Sequence, residues 1–250
     1  MNLPDLTPEE RARYEWQMWV PGLGEDGQRK LKAATVLISR VGGLGGLVAL
    51  QLAAAGVGRL ILAHGGRLKA ADLNRQLLQT TEHIGQPRME SILRRLRELN
   101  PGVTLEGHAE NMTPALAETL VPRADIVVDA APLFQERLAM NDAAMRHGRP
   151  MVECAMHSLE ASVTTFLPGQ TGCLRCYVPE VPATWTRQFP VLGAVSHTAA
   201  SLGSMEVIKL ITGLGEPLAG RLMSIDHAAA RTRTIRLPRR PDCPACGAYG

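Results

Sequence analysis

The chain alternates short apolar runs with longer segments whose apolar residues recur at helical spacing. The runs 35–39, 59–63 and 126–129, rich in Val, Ile and Leu, read as strands buried on both faces. Between them, 44–55 reads as a helix ending at Gly56. Gly85-Gln-Pro87 opens another through Leu99, with Met89, Ile92, Leu93 and Leu96 on one face. The same rhythm predicts a strand at 103–106, a helix at 114–120, a helix at 135–147 and a strand at 151–154. Residues 162–167 alternate as a further strand. After a Pro- and Trp-containing loop, 178–190, come a small-residue helix at 194–212 and two tail strands, 221–226 and 232–237. Residues 8–31 read as a helical arm broken at Gly22 and Gly24. This order predicts one α/β domain, a Rossmann-like, doubly wound, mostly parallel sheet with an antiparallel C-terminal part.

The segment Val36-Leu-Ile-Ser-Arg40-Val-Gly42-Gly43-Leu-Gly45 runs from the first strand through a glycine turn into a helix. In a G-x-G-x-x-G turn the first glycine permits the tight bend, the second lets backbone approach phosphate, and the third lets helix pack on strand. Gly42 and Gly45 fill the second and third roles. Arg40 stands in the first, where it either blocks the phosphate seat or holds an anion differently. Asp129 ends its strand at the carboxyl edge, where open α/β sheets bind ligands.

Composition narrows the function classes. With 250 residues and 45% hydrophobic content the chain can bury one large core. Lys and Arg exceed Asp and Glu only by 27 to 24, and nine aromatic residues are too few to interleave the basic clusters 94–97 and 231–240, so nucleic acid is not an expected partner. The polar, acidic first ten residues do not form a signal peptide, and no apolar stretch is long enough to span a bilayer. The expectation is a cytoplasmic protein with no membrane contact.

Two C-x-x-C pairs, Cys173/Cys176 and Cys243/Cys246, predict one closed four-cysteine zinc site. Such a site is structural, stapling the later middle of the chain to its tail. Cys154, alone in an apolar stretch, reads as inert core.

Several further motifs, Arg13-Tyr14…Gln17, Gly27-Gln28, Ala55-Gly-Val-Gly58, Leu73-Asn-Arg75-Gln76, Asn100-Pro101, Arg137…Asn141 and Met205-Glu206…Lys209, lie in order with the glycine turn and the zinc pairs. In this the chain resembles the ThiF/MoeB/HesA family over nearly its whole length. The resemblance implies a homodimer that uses ATP and magnesium to adenylate the C-terminal glycine carboxylate of a ubiquitin-like sulfur-carrier protein ending Gly-Gly. It divides the domain into a helical arm (1–34), a nucleotide-binding-type βαβ half (35–155) and a zinc-stapled, partner-binding half (156–250). It also implies a nucleotide site at Gly42, Gly43, Gly45, Arg75, Gln76, Arg88 and Asp129, of which Arg75, Arg88 and Asp129 would be catalytic.

Position by position, the chain departs from that pattern. The family's arginine that reaches across the dimer falls at Trp16, and its first loop glycine at Arg40. The acidic residues that receive ribose fall at His64 and Gly66, an asparagine at Asp72, and the phosphate-binding lysine at Arg88. The second carboxylate of the strand-end Asp-x-x-Asp, a magnesium ligand, falls at Pro132. The loop cysteine that some members use falls at Thr186. Magnesium is held by only one or two carboxylates, and adenylation depends on cationic clamps around developing charge. At about 2 kcal/mol per clamp, three losses amount to roughly 10⁴-fold.

Three readings follow. The leading one is a non-adenylating homologue that binds a carrier protein or related peptide as a scaffold or dimer subunit. A second is an active adenylyltransferase rebuilt around Arg40, Arg75, Arg88 and Asp129. A third is an enzyme of another class using His64, Glu153, Cys154, His157 or His197.

Overall fold

The apolar runs become strands because both faces of one sheet are covered. In the computed structural model, which describes residues 3–247, β1 (Thr35–Ser39), β2 (Arg59–Ala63), β3 (Thr104–His108), β4 (Ile126–Asp129) and β5 (Met151–His157) run parallel. β6 (Glu160–Phe166), β7 (Arg221–Asp226) and β8 (Arg231–Arg236) continue the sheet antiparallel. The spatial order is β3-β2-β1-β4-β5-β6-β7-β8, so a single continuous sheet of eight strands crosses the molecule. The Rossmann-like expectation, with its antiparallel C-terminal part, is met.

Strand alternation divides the core in two. Val36 and Ile38 of β1, with Leu60 and Leu62 of β2, face α3 (Gly43–Ala55), α4 (Arg88–Leu99) and α7 (Gly193–Thr212). Leu37 and Ile61 face the opposite way, toward α5 (Pro114–Leu120), α6 (Phe134–Arg146) and the four paired cysteines. On the first face α7 lies hard against β5: a Cβ at Gly203 would stand 2.3 Å from Cys154 Sγ. Cys154 is fully buried there, as the inert-core reading expects.

The arm folds as α1 (Pro8–Met18) and α2 (Gly24–Ala33), and its family motif has a local reason. Helix α3 ends at Gly56 in the left-handed region (φ 85°), leaving its last carbonyls free. Gln17 and Gln28 each donate to the Ala55 carbonyl at 3.0 Å, and Asn100 donates to Ala53 O at 2.7 Å and to the Tyr14 hydroxyl at 2.8 Å. Three scattered motif residues thus cap one helix, and a fourth, Tyr14, braces one of them. Glu206, buried in α7, similarly accepts from the Thr165 hydroxyl at 2.8 Å and from Lys209 at 2.7 Å, tying α7 to β6.

Three strands differ in extent from the sequence reading. β5 runs on to His157 and β6 begins at Glu160, because the hairpin ladder pairs His157 with Glu160 beyond the apolar run. β3 starts at Thr104 and reaches His108 at the sheet edge. No helix among the described residues is long and apolar enough to cross a membrane.

Candidate functional site

The strand order reverses between β1 and β4, and a cleft opens outside their carboxyl ends. It has a volume of about 610 Å³, open to solvent, and its walls include Gly42, Gly43, His64, Arg75, Gln76, Ala131 and Pro132. This is the topological switch point at which open α/β sheets take ligands.

Arg40 makes the glycine turn unusual. It adopts φ 55°, the left-handed conformation that glycine takes without strain. A second constraint shapes the same turn: a Cβ at Gly45 would stand 2.6 Å from the Arg40 carbonyl oxygen, so only glycine lets α3 follow so closely. The Arg40 guanidinium donates Nε and Nη2 to the two carboxylate oxygens of Glu136, both at 2.6 Å. The cation is therefore drawn across to α6, and the amides at the start of α3 carry no side-chain cap.

The other predicted cations meet at Asp72. Arg88 donates to its Oδ2 at 2.5 Å and Arg75 to its Oδ1 at 3.2 Å. Burial raises the Asp72 carboxyl, but Arg88, the Lys69 amide and Arg75 outweigh it and hold it below its ordinary value. One carboxylate thus engages both of the guanidinium groups that the resemblance assigns to the nucleotide site, and offsets one of their two charges. His64 lies behind Gly42. Burial, then the charges of Arg88 and Arg40, push its imidazole down to about 4 against the Val41 backbone hydrogen bond and Asp72, so it is neutral at pH 7. His64 Nδ1 and Gln76 Oε1, both buried, have no hydrogen-bond partner among the described residues.

Asp129 is fully enclosed. Its Oδ1 accepts from Ser39 Oγ at 3.2 Å and from the Ala131 amide at 3.1 Å, and its Oδ2 from Arg137 at 3.1 Å. Arg137 also donates to Glu153 at 2.6 Å. One guanidinium between two buried carboxyls cannot satisfy both as anions. Burial raises both acids, and Glu153 reaches about 7 despite Arg137. A magnesium ion does not fit this arrangement: both Asp129 oxygens are engaged within the protein, and Pro132 offers no side-chain donor. The bare glycine turn, by contrast, suits an oxyanion.

Past Pro132 the cleft continues as an aromatic groove of about 840 Å³ lined by Phe134, Met156, His157, Trp185, Phe189 and neighbouring residues. Phe134 and Trp185 meet edge to face at 5.2 Å between ring centroids, and Trp185 and Phe189 at 5.3 Å. Trp185 donates its indole N–H to the Pro132 carbonyl at 2.8 Å, which fixes the loop over the cleft mouth. Thr186 is exposed, its hydroxyl bonded to Gln188 O at 2.9 Å, in keeping with a polar crossover loop.

The four paired cysteines converge. Their sulfurs all lie within 4.8 Å of one another, with Cys173–Cys243 at 3.6 Å and Cys176–Cys246 at 3.5 Å. A tetrahedral zinc–thiolate site with bonds of about 2.3 Å has sulfur edges near 3.8 Å, so the set could hold zinc. Asn141 supports it, its Nδ2 3.7 Å from Cys173 Sγ and its Oδ1 accepting from the Leu174 amide at 2.8 Å. Helix α6 therefore carries Arg137 toward the cleft and Asn141 toward the cysteines.

The structure brings Gly42, Gly43, Arg75 and Gln76 together in the cleft wall, with Arg88 and Asp129 close behind. It does not assemble the alternative constellation. No hydrogen bond or ion pair among the described residues joins any two of His64, Glu153, Cys154, His157 and His197, and His197 bonds instead to the Arg75 carbonyl at 3.0 Å. Trp16 is exposed on α1 and stacks on Trp19 at 5.9 Å. Sequence reasoning missed Glu136, Trp185, Arg187 and Phe189. Glu136 lies beside Arg137 and Arg187 beside Thr186, which was the only signal available.

Residues 14–245 match the model of the ThiF family. The protein HesA of Leptolyngbya boryana is 48% identical over 243 residues, covering 97% of this chain and 88% of that protein. A sulfur carrier protein adenylyltransferase of Thermus thermophilus is 37% identical, covering 96% of this chain and 92% of that one. Among solved structures, E. coli MccB with MccA-N7isoASN superposes with a TM-score of 0.83 at 26% identity, covering 95% of this chain and 74% of that one. The motifs, the switch-point cleft and these relatives agree, and the chain belongs to the ThiF family.

Proposed function

We propose that this chain binds the C-terminal tail of a small ubiquitin-like or sulfur-carrier protein, or a related peptide, as a scaffold or dimer subunit that does not carry out magnesium-dependent adenylation. The observation that carries this reading is Asp129, wholly buried with both oxygens engaged, beside a proline that cannot replace the missing ligand. The groove beyond Pro132 supports the tail, as do a relative that adenylates a sulfur carrier and a structural neighbour crystallised with MccA-N7isoASN. We infer structural zinc at Cys173, Cys176, Cys243 and Cys246. We also infer self-pairing through the arm, where Trp16 and Trp19 are 78% and 66% exposed. A dimer that light scattering finds intact in Trp16→Glu/Trp19→Glu would remove the last inference.

The test is ATP–pyrophosphate exchange with magnesium and candidate carriers ending Gly-Gly, alongside direct measurement of carrier binding. Binding without exchange is the expected result. Exchange that vanishes in Asp129→Ala would overturn it in favour of the second reading, an active adenylyltransferase. That reading is favoured by one feature, the approach of Arg75 and Gln76 to the uncapped turn.

A further inference from the structure

Arg187 is the cation of this cleft that the fold leaves uncommitted. Arg40 is held by Glu136, Arg75 and Arg88 share Asp72, and Arg137 lies between Asp129 and Glu153. Arg187, on the loop before α7, lines the same cleft and makes no hydrogen bond and no ion pair among the described residues. Although the residue is exposed, desolvation at the cleft, then repulsion from Arg40 and Arg75, holds its guanidinium below its ordinary range. Four guanidinium groups, those of Arg40, Arg75, Arg88 and Arg187, therefore stand against the two carboxylates Asp72 and Glu136.

Independent features point to a bound oxyanion at that place. Helices α3, α6 and α7 all begin beside the cleft, and none has a side-chain cap, so their first amides are free to meet negative charge.

The approach to this seat discriminates between oxyanions. The aromatic groove shares Pro132, Arg137, Met156 and Phe189 with the cleft, so a chain lying along Phe134, Trp185 and Phe189 runs directly to Arg187. We propose that Arg187 holds the terminal carboxylate of the tail, selecting peptides that end in a free acid and carry an apolar or aromatic residue further back. The proposal rests on the tail-binding reading above.

Calorimetry on the full chain tests it, using a synthetic ten-residue peptide ending Gly-Gly as free acid and as C-terminal amide. The acid should bind about tenfold tighter than the amide, the difference expected for a charge-assisted contact. In Arg187→Gln the acid should fall to the affinity of the amide, and Arg187→Lys should restore part of the gap. Arg187 has no partner to lose among the described residues, and circular dichroism of both variants checks that they remain folded. Equal binding of acid and amide to the native chain overturns this inference and leaves tail binding standing. Binding of neither overturns the tail-binding reading and the inference with it. If instead inorganic phosphate or metal-free ATP binds and only that binding is lost in Arg187→Gln, the seat belongs to phosphate and the carboxylate assignment is wrong.

Discussion

The Arg40 guanidinium grips both carboxylate oxygens of Glu136, each bond 2.6 Å long, across 96 residues of sequence. The pair sits where the sheet reverses order and both side chains are largely enclosed. An arginine in a left-handed turn is thereby explained: the strain at its backbone is offset by a two-pronged, charge-assisted contact to the neighbouring helix.

Removing one partner leaves the other charged and shielded from water. Arg40→Ala should cost about 3 kcal/mol in urea unfolding. Arg40→Gly with Glu136→Gln should cost much less than the sum of the single changes, since glycine relaxes the turn and no charge is stranded. Additive losses would show that the pair is not coupled.

The Asp129–Arg137–Glu153 group should make stability fall with rising pH. Burial raises the Glu153 carboxyl to about 7 in the folded chain from its ordinary 4.5. The folded state therefore binds the extra proton between those values, and its advantage, complete below 4.5, is lost as pH rises through 7. The unfolding free energy should drop by roughly 3 kcal/mol across this window, and Glu153→Gln should flatten the profile. A native profile flat from pH 4.5 to 7 would contradict the arrangement.

Metal analysis of the purified chain should find one zinc per chain, lost in Cys243→Ser. Chelation or that substitution should lower the thermal midpoint, because the site ties the segment at 173–176 to the tail across 70 residues. The cleft lies on the other end of α6, so the fold near β1 to β4 should persist, which hydrogen exchange can resolve.

Trp185→Phe keeps the ring and removes the indole donor to Pro132 O. Stability should change by no more than about 1 kcal/mol. Limited proteolysis should nonetheless cut the loop at 178–190 faster than in the native chain, since this bond fixes the loop over the cleft. An unchanged cleavage rate would show that the ring contacts alone hold it.

What was legible in the sequence was what repeats locally. Strands β1, β2 and β4 declare themselves as unbroken apolar runs, because a parallel strand covered on both faces has no polar side to show. The cysteine pairs point to one another because two C-x-x-C pairs in such a chain suit a shared metal, and the structure does bring their four sulfurs together. The extension of β5 to His157 was not legible, since its last residues are held by ladder bonds to β6 rather than by an apolar pattern.

The cleft is the opposite case. Sequence alone placed Arg40, Asp72 and Pro132 at positions where the family has other residues, and from that could say only that the pocket had changed. It could not say that Glu136 takes Arg40, that Asp72 takes Arg75 and Arg88, or that Arg187 is left free. Those outcomes depend on which charges come within a few ångströms once the chain is packed, and Coulomb energy depends on that separation and on the shielding around it, not on spacing along the chain. The sequence by itself determined the layers, the turn and the cysteine pairs that could hold a metal, each specified by neighbours a few residues apart. Only the tertiary structure decided which cation in the cleft has no partner among the described residues.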